Sequence, residues 1–462
     1  MNCDEAERLL LSLGPGKSDH NLERLKNTFE KAGIASPKYP IVLVGGTNGK
    51  GSVIAITESL IKDCAKVGSF IKPHIFTLRE RIRIGGKAIN EVTFCEATQR
   101  LFFHLKLKGT TLTFYEATLA LALLAFQLEG VDIGLIEVGL GGRFDACNVL
   151  PRILTVVTSL SMDHEELLGN YLSEIAFEKA GIFRKDVGAI LSRACFTASE
   201  NAELQATSAV SGNSKVAGLV LTRIAKLKGA KTIPIVVDAE RLTGTLASGE
   251  QVFGIHPCEE QTPLSLKLPS KITLNLLGTY QRWNLECAIT ICNSLKMRLS
   301  CMESINVPEN ITVNYRGRFE VHRLGRGMVI LDSAHNEEGF RALNECLSAY
   351  FPEDARFIVV FGCQLSKNPR ALLQRIRQWA REGVPIFLPI LHPTPKEDIA
   401  KAMRDCFIEP ILVDADFEEQ MRAVRQMCVE GQNVLVCGSI YYLGEVMKAL
   451  LDEGKASSIF CG

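Results

Sequence analysis

A lysine and a hydroxyl stand two residues apart in Gly45-Gly46-Thr47-Asn48-Gly49-Lys50-Gly51-Ser52, directly after the apolar run Ile41 to Val44. Those residue types in that order suit phosphate binding. Glycines let successive backbone N–H groups turn toward an anion, Lys50 can reach terminal phosphates, and Ser52 can offer an oxygen to magnesium. Residues 53–61 supply a helix whose positive end faces the same point. The spacing is not the common G-x-x-x-x-G-K-[ST], because Gly51 separates the lysine from the hydroxyl. The alternative is a glycine-rich turn that carries a lysine by chance.

Further along, single polar residues close apolar runs. Glu137 ends Val131 to Ile136, and Asp163-His164 follows Ile153 to Thr158. If both runs are parallel strands, their carboxyl ends line one crevice, where Glu137 can bind magnesium and His164 faces the same space. A lone histidine is also a common hydrogen-bonded core or surface residue. In Leu172 to Ala180, Leu172, Ile175, Ala176 and Lys179 fall at helical spacing, so Lys179 projects from the apolar face. Burial would lower its pKa, and a neutral amine can act as a base or become a carbamate. On periodicity alone a lysine that buries its stem and keeps its head wet competes with that reading. Arg79-Glu80-Arg81-Ile82-Arg83-Ile84 alternates like a strand with one charged face, open to an anion-binding or a solvated edge reading. Gly139 to Asp145 is a second glycine-rich loop, weak by itself.

The elements that must position these residues follow from pattern. Helical spacing marks Leu9 to Leu13, Leu22 to Ala32 and Thr113 to Leu128, and Gly278 to Asn284 opens a helix running to Met297. Val67 to Ile71 reads as a strand, as do Ile233 to Val237 and Leu264 to Leu268; Thr207 to Ser214 reads as a surface loop. Residues 300–315 are irregular, and beyond them strands at Val329 to Asp332, Phe357 to Phe361, Ile386 to Leu388, Ile411 to Val413 and Val434 to Cys437 alternate with helical segments. That alternation predicts a second, smaller doubly wound α/β sheet. The expected organisation is a domain over 1–298, a linker over 299–316 and a second domain over 317–462.

Composition narrows the function classes. Lys plus Arg equals Asp plus Glu at 52 each, so there is no basic excess of the kind a general nucleic-acid binder displays. Apolar residues at 47% and charged residues at 23% describe an ordinary globular enzyme. The fifteen cysteines are odd in number and contain no C-x-x-C pair, which favours reduced thiols in a cytoplasmic protein over disulfides or structural zinc. Met1 to Glu5 is polar and acidic, unlike a secretory signal, and Leu119 to Leu128 is too short to span a bilayer. Small-molecule substrates, no membrane, no nucleic-acid partner and a monomer are the expectations.

Taken together, Gly46 to Ser52, Glu80 to Ile84, Glu137 to Arg143, Asp163-His164, Glu178 to Gly181, Gly317 to Glu320 and Asp332 to Asn336 resemble the folylpolyglutamate synthase and dihydrofolate synthase branch of the Mur ligases. The resemblance covers nearly the whole chain. It implies an α/β fold, with a P-loop ATPase domain of the Mur-ligase type on a mostly parallel sheet, followed by a smaller Rossmann-like doubly wound domain. It also implies an ATP-dependent amide ligase that activates a pteroate or folate carboxylate as an acyl phosphate and joins it to L-glutamate. Carried over, Thr47, Asn48, Gly49, Lys50, Gly51, Ser52, Asn284, Arg318 and Asp332 match residues that bind ATP. Ser52 and Glu137 match ligands of one magnesium, while Glu137, His164 and a carbamylated Lys179 match those of a second, with a monovalent cation as a further option. Lys50, Glu137, His164 and Lys179 are thus the implied catalytic set. Arg81, His335 and Ser439 match positions near the incoming glutamate. Phe114, Tyr115, Glu116, Phe144, Asp145 and Ala146 are similar to stretches that contact dihydropteroate in bifunctional bacterial members, which favours a bifunctional enzyme over one that only extends folates.

The sequence also departs from the family. Lys72 stands where many relatives have a serine before Pro-His, near magnesium, and an ammonium cannot replace an oxygen ligand. Tyr280, Ser333 and Ser366 replace frequent histidine, glycine and aspartate, and Lys17 to His20 matches the pteroate-contacting segment only loosely. Two rivals are weighed against this reading. A cell-wall Mur ligase usually carries an extra nucleotide-sugar domain, for which there is no room before Ile41. A nucleotide-dependent switch has no need of polar strand ends in a second domain.

Overall fold

The computed structural model describes residues 1–14, 21–34, 37–109, 111–196, 214–258, 264–389, 392–451 and 457–458. Lys17 to His20 and all but the last residue of Thr207 to Ser214 lie outside them. By its contacts the chain forms two compact units, Met1–Glu240 with Ile255–Ser270 and Trp283–Asn314, and Arg241–Gly254 with Lys271–Arg282 and Tyr315–Gly462.

The first unit is built on strands β1 (Ile41–Gly45), β2 (Val67–Phe70), β3 (Ile82–Ile84), β4 (Lys87–Ala88), β5 (Ile133–Glu137), β6 (Leu154–Val157), β7 (Gly188–Leu191) and β8 (Lys231–Ile233). Their order is β4-β3-β2-β5-β1-β6-β7-β8, parallel from β2 through β8 and antiparallel at β3 and β4. Register places Val44 beside Glu137 on one side and beside Val156 on the other. β1 lies between β5 and β6, both parallel to it, so the carboxyl ends of all three open on one edge of the sheet, where an open parallel sheet makes its ligand crevice. Buried β1, β5 and β6 read as continuous apolar runs because helices cover both faces. Phe114–Glu129 is one such helix; its N-cap Thr113 and Glu116 form a capping box, and Ala117 to Phe126 are all buried.

Two expectations about this unit change. Only Ile82–Ile84 is a strand, because Leu78–Arg81 winds into a 3-10 turn capped by Thr77 and Glu80. Nor is the arginine run a solvated edge. Arg81 and Arg83 are each 8% exposed, and Arg83 pairs with buried Glu58 at 2.9 Å while donating to the carbonyls of Asn314 and Gly86. The second change concerns the expected linker. Ser59 donates to the carbonyl of Thr312, Lys296 to that of Ile305, and Arg83 holds Asn314, so residues 300–314 pack as part of the first unit. The chain therefore makes its last crossing to the second unit at Tyr315.

Between these regions Ile233 to Val237 divides at Pro234, with β8 ending at Ile233 and a long strand β9 (Val237–Thr245) beginning after it. That strand and β10 (Glu250–Pro257) went unread, and Leu264 to Leu268 is not a strand. β10 instead pairs antiparallel with β11 (Lys271–Leu274), from Gln251↔Leu274 to Gly254↔Lys271. The first unit also contains a short β12 (Asn310–Ile311).

The second unit carries β13 (Glu320–Leu324), β14 (Gly327–Leu331), β15 (Phe357–Phe361), β16 (Ala380–Pro385), β17 (Glu409–Pro410), β18 (Asn433–Cys437) and β19 (Ser457–Ser458), in the order β17-β16-β15-β18-β14-β13-β19. β14 to β18 are parallel, and β13 and β19 add antiparallel at one edge. The apolar runs at Ile386 and Ile411 lie just after β16 and β17, not on them. Pro385 closes β16 in register with Phe361, and Ile386 gives its N–H to the Phe361 carbonyl as the chain turns away. Among the described residues the cysteines are free, and no helix is long and apolar enough to cross a membrane.

Candidate active site

The cradle forms as its sequence requires. Gly46 and Gly49 have φ of 136° and 87°, a left-handed backbone that favours glycine. Space demands them as well. A Cβ on Gly46 would fall 2.1 Å from Thr158 Oγ1, and one on Gly49 would fall 2.5 Å from Asn284 Oδ1. The loop is held from the neighbouring strand end. Thr158 and Ser159 donate their hydroxyls to the Asn48 carbonyl, Ser159 Oγ accepts the Asn48 N–H, and Thr47 exchanges hydrogen bonds with Ser161. Lys50 donates to the carbonyls of Gly46 and Thr47 at 3.1 and 2.8 Å. Ser52 is buried, and its hydroxyl makes no hydrogen bond among the described residues.

Glu137, at the end of β5, divides the site. Its Oε1 lies 3.9 Å from Lys50 Nζ, and its Oε2 accepts the backbone N–H of Lys72 at 2.9 Å. Beyond Lys72 the second glycine loop closes on a buried polar group. Asp145 accepts from Tyr115 Oη at 3.1 Å and from the N–H groups of Cys147 and Leu140 at 2.9 Å each. A Cβ on Gly139 would fall 2.3 Å from Asp145 Oδ2, 2.8 Å from Lys72 Nζ and 2.9 Å from Tyr115 Cζ, so only glycine lets these three approach. Burial and the nearby Asp145 carboxylate push the Tyr115 hydroxyl and Cys147 thiol well above their ordinary values.

Lys179 does not snorkel. It is 4% exposed, and burial, reinforced by Lys50 and Lys72 and opposed by Asp163 and Cys195, pushes its pKa down to about 7. A large fraction is then a neutral amine at neutral pH, the form that takes up carbon dioxide. Asn148, three residues past the glycine loop, ties that loop to the turn after Lys179. It donates to the carbonyls of Arg143 and Gly181, while its Oδ1 accepts from Arg152 and Arg184 at 2.7 and 2.9 Å.

His164 has φ of 53° and a side chain 47% exposed, 3.9 Å from Asp163. Arg81 donates to His74 Nδ1 at 2.9 Å and lies over Phe114. Burial, reinforced by the Arg81 charge, pushes His74 down to about 4. Glu116 is occupied by Arg24 and the Thr113 N–H and so braces the helix start. Phe144 is exposed beneath Arg143, and Ala146 opens the turn after Asp145. Among the described residues no three His, Cys, Asp or Glu side chains converge on a metal position. The free hydroxyl of Ser52 and the buried carboxylate of Glu137 nevertheless suit a hard cation that also takes phosphate oxygens. Lys179 suits one only as its carbamate.

In the second unit a cluster gathers at the ends of β14 and β18. Asp332 Oδ2 and Oδ1 accept the N–H groups of Phe319 and Ala334 at 2.8 Å each, and burial raises its carboxyl above the ordinary value. Phe319 is held at φ of 47° by that bond. Arg318 donates to Ser333 Oγ, the Gly317 carbonyl and Tyr315 Oη. His335 donates from Nδ1 to the Ser333 carbonyl at 2.8 Å, and Ser439 caps the helix Ile440–Leu450.

Comparisons with known proteins identify the family. A family profile described as "Mur ligase, glutamate ligase domain" matches residues 317–440. The dihydrofolate synthase/folylpolyglutamate synthase of Buchnera aphidicola subsp. Baizongia pistaciae is 30% identical over 352 residues, 76% of this chain and 73% of that protein. The chain belongs to the dihydrofolate synthase/folylpolyglutamate synthase family. The Bacillus subtilis (strain 168) member is 28% identical over 460 residues, 96% of both chains. The family fold is shared too. The structure of E. coli FolC in complex with DHPP and ADP superposes with a TM-score of 0.73 at 24% identity, covering 98% of each chain. Relative to the sequence reading, the residues missed are Thr158 and Ser159 behind the cradle and Cys147 and Asn148 behind Asp145. A polar run just after the apolar strand Leu154–Val157 was the available signal for the first pair, whereas nothing local marks the second.

Proposed function

We propose that this protein is an ATP-dependent amide ligase that adds L-glutamate to dihydropteroate and to reduced folates. The observation that carries the reading is the Glu137 carboxylate, set between the cradle's Lys50 and the Lys72 backbone N–H, with the buried Tyr115–Asp145 cluster beyond. The anion cradle and the residues assigned to the acceptor would then share one wall.

A carboxylate is a poor acyl donor and must be activated. Its oxygen attacks the γ-phosphorus, the bond from phosphorus to the ADP oxygen breaks, and an acyl phosphate forms. The glutamate amine then attacks the acyl carbon, the carbon–oxygen bond to phosphate breaks, and the nitrogen loses a proton. The protein's part is orientation and charge. Thr47 to Ser52 and Asn284 in the first unit, and Arg318 and Asp332 in the second, are assigned to ATP. Lys50 would neutralise terminal phosphate oxygens. Ser52 and Glu137 would hold one magnesium, which supplies further neutralisation, and Glu137, His164 and carbamylated Lys179 a second. Phe114, Tyr115, Phe144, Asp145 and Ala146 are assigned to the pteroate, with Glu116 bracing them, and Arg81, His335 and Ser439 to glutamate. The ATPase domain would be residues 1–298, less the two stretches that pack with the second unit and with the segment to Asn314 added, and the glutamate domain would be built on 317–462, in a cytoplasmic monomer.

The deciding measurement is ADP release with ATP, magnesium, glutamate and either dihydropteroate or tetrahydrofolate, omitting each in turn. Release should require all of them. Equal release without the pteroate or folate would overturn the ligase reading, and release with folate but not dihydropteroate would restrict it to chain extension.

A further inference from the structure

The Lys72 ammonium is held by an aromatic ring and by no polar partner among the described residues. It lies 4.7 Å above the centre of the Tyr115 ring, and among the described residues it makes no hydrogen bond or ion pair. Asp145, which with Lys72 approaches Gly139, does not take it up. Both Asp145 oxygens already accept, from Tyr115 Oη and Cys147 N on one and Leu140 N on the other. A half-buried ammonium whose N–H donors are not taken up by the protein is open to an incoming anion.

Place and chemistry narrow what that is. Three donors on a compact cation suit an oxyanion. The backbone of Lys72 is fixed by its N–H to Glu137 Oε2, while Lys50 faces the other oxygen of the same carboxylate. Lys50 thus stands on the cradle side of Glu137, and the Lys72 side chain runs to the Tyr115 and Asp145 side. Two lysines on opposite sides of one carboxylate divide two anions between them. Resting on the ligase reading, we propose that Lys72 binds the carboxylate of the acceptor substrate and the acyl phosphate made from it. The ammonium would hold the attacking oxygen against the γ-phosphate and then offset charge on the intermediate.

The test compares Lys72→Met, Lys72→Arg and Lys72→Ala with the unaltered protein. Lys72→Met should lower kcat/KM for the pteroate or folate acceptor at least 100-fold while moving the KM for ATP less than threefold. Lys72→Arg should retain part of the activity, and millimolar ethylammonium should restore part of that lost in Lys72→Ala. A second readout needs no turnover. The unaltered protein should bind an acceptor at least tenfold more tightly than the same acceptor with its carboxylate amidated, and Lys72→Met should bind both alike. Unchanged acceptor kinetics in Lys72→Met, equal discrimination in both proteins, or a KM change confined to ATP would overturn the inference. Failure of the unaltered protein to turn over any pteroate or folate would overturn the ligase reading itself. A thermal melt and binding of an ATP analogue by each variant separate these results from misfolding.

Discussion

In the first unit Lys72 carries an ammonium and Ser52 a buried hydroxyl, neither hydrogen-bonded among the described residues, and Lys179 is buried with its charge disfavoured. The second unit is organised in the opposite way. Both oxygens of Asp332 hold backbone N–H groups, Arg318 braces Ser333, Gly317 and Tyr315, and Glu320 takes Arg316, Gly317 and His322. One unit therefore keeps reactive groups at a cost in stability, and the other spends comparable groups on shaping a turn. Substitutions in the first should remove activity while leaving the fold intact, whereas substitutions in the second should loosen the fold first.

The largest effect should come from Lys179→Ala. Turnover is expected to fall at least 1000-fold, while the melting temperature holds or rises because a disfavoured buried charge is gone. Partial recovery with short carboxylates such as acetate would support the carbamate, since they restore oxygen ligands. A melting temperature lowered in step with activity would erase the contrast between the units. Gly49→Ala should follow. At φ of 87°, with its new Cβ against Asn284 Oδ1, the loop must shift, and affinity for an ATP analogue measured by calorimetry should fall about 100-fold.

How much of this was legible depended on whether the deciding contact was local. The cradle was, because strand, glycines, lysine and helix adjoin in sequence, and the buried face of Leu172 to Lys179 could be read from helical spacing. The arginine run was not. Whether Arg83 meets water depends on Glu58 and Asn314, which lie far from it along the chain. The same limit hid the Asp145 cluster, where Tyr115, Asp145 and Cys147 converge from a helix and a loop. In the second unit β16 and β17 ended before the apolar residues used to place them, since hydrophobicity marks burial and not ladder register.

Glu320→Gln tests the other half of the comparison. Burial alone would raise the Glu320 carboxyl, but the His322 hydrogen bond and the Arg316 charge outweigh it and hold the group below its ordinary value. Its stabilisation is therefore present above the ordinary glutamate range and is lost as pH falls through the lowered folded value. The variant should lose about 2 kcal/mol at pH 7, in the range for breaking a buried charged hydrogen bond, and the difference should shrink toward pH 3. Denaturant titration at both values would show it. A constant difference would mean that the carboxylate's charge contributes nothing.

His164→Gln should give the smallest change, and it bears on where the comparison stops holding. The side chain is 47% exposed, so its loss should move stability by less than about 0.5 kcal/mol. Yet the residue is held at φ of 53° at the start of the helix Glu165–Leu168, a conformation a non-glycine residue adopts at some cost. If that cost serves to aim the imidazole at a metal, turnover should fall about tenfold, and the magnesium concentration needed for half-maximal activity should rise. Unchanged magnesium dependence would make His164 an ordinary surface cap. The reactive groups of the first unit would then be only the buried ones.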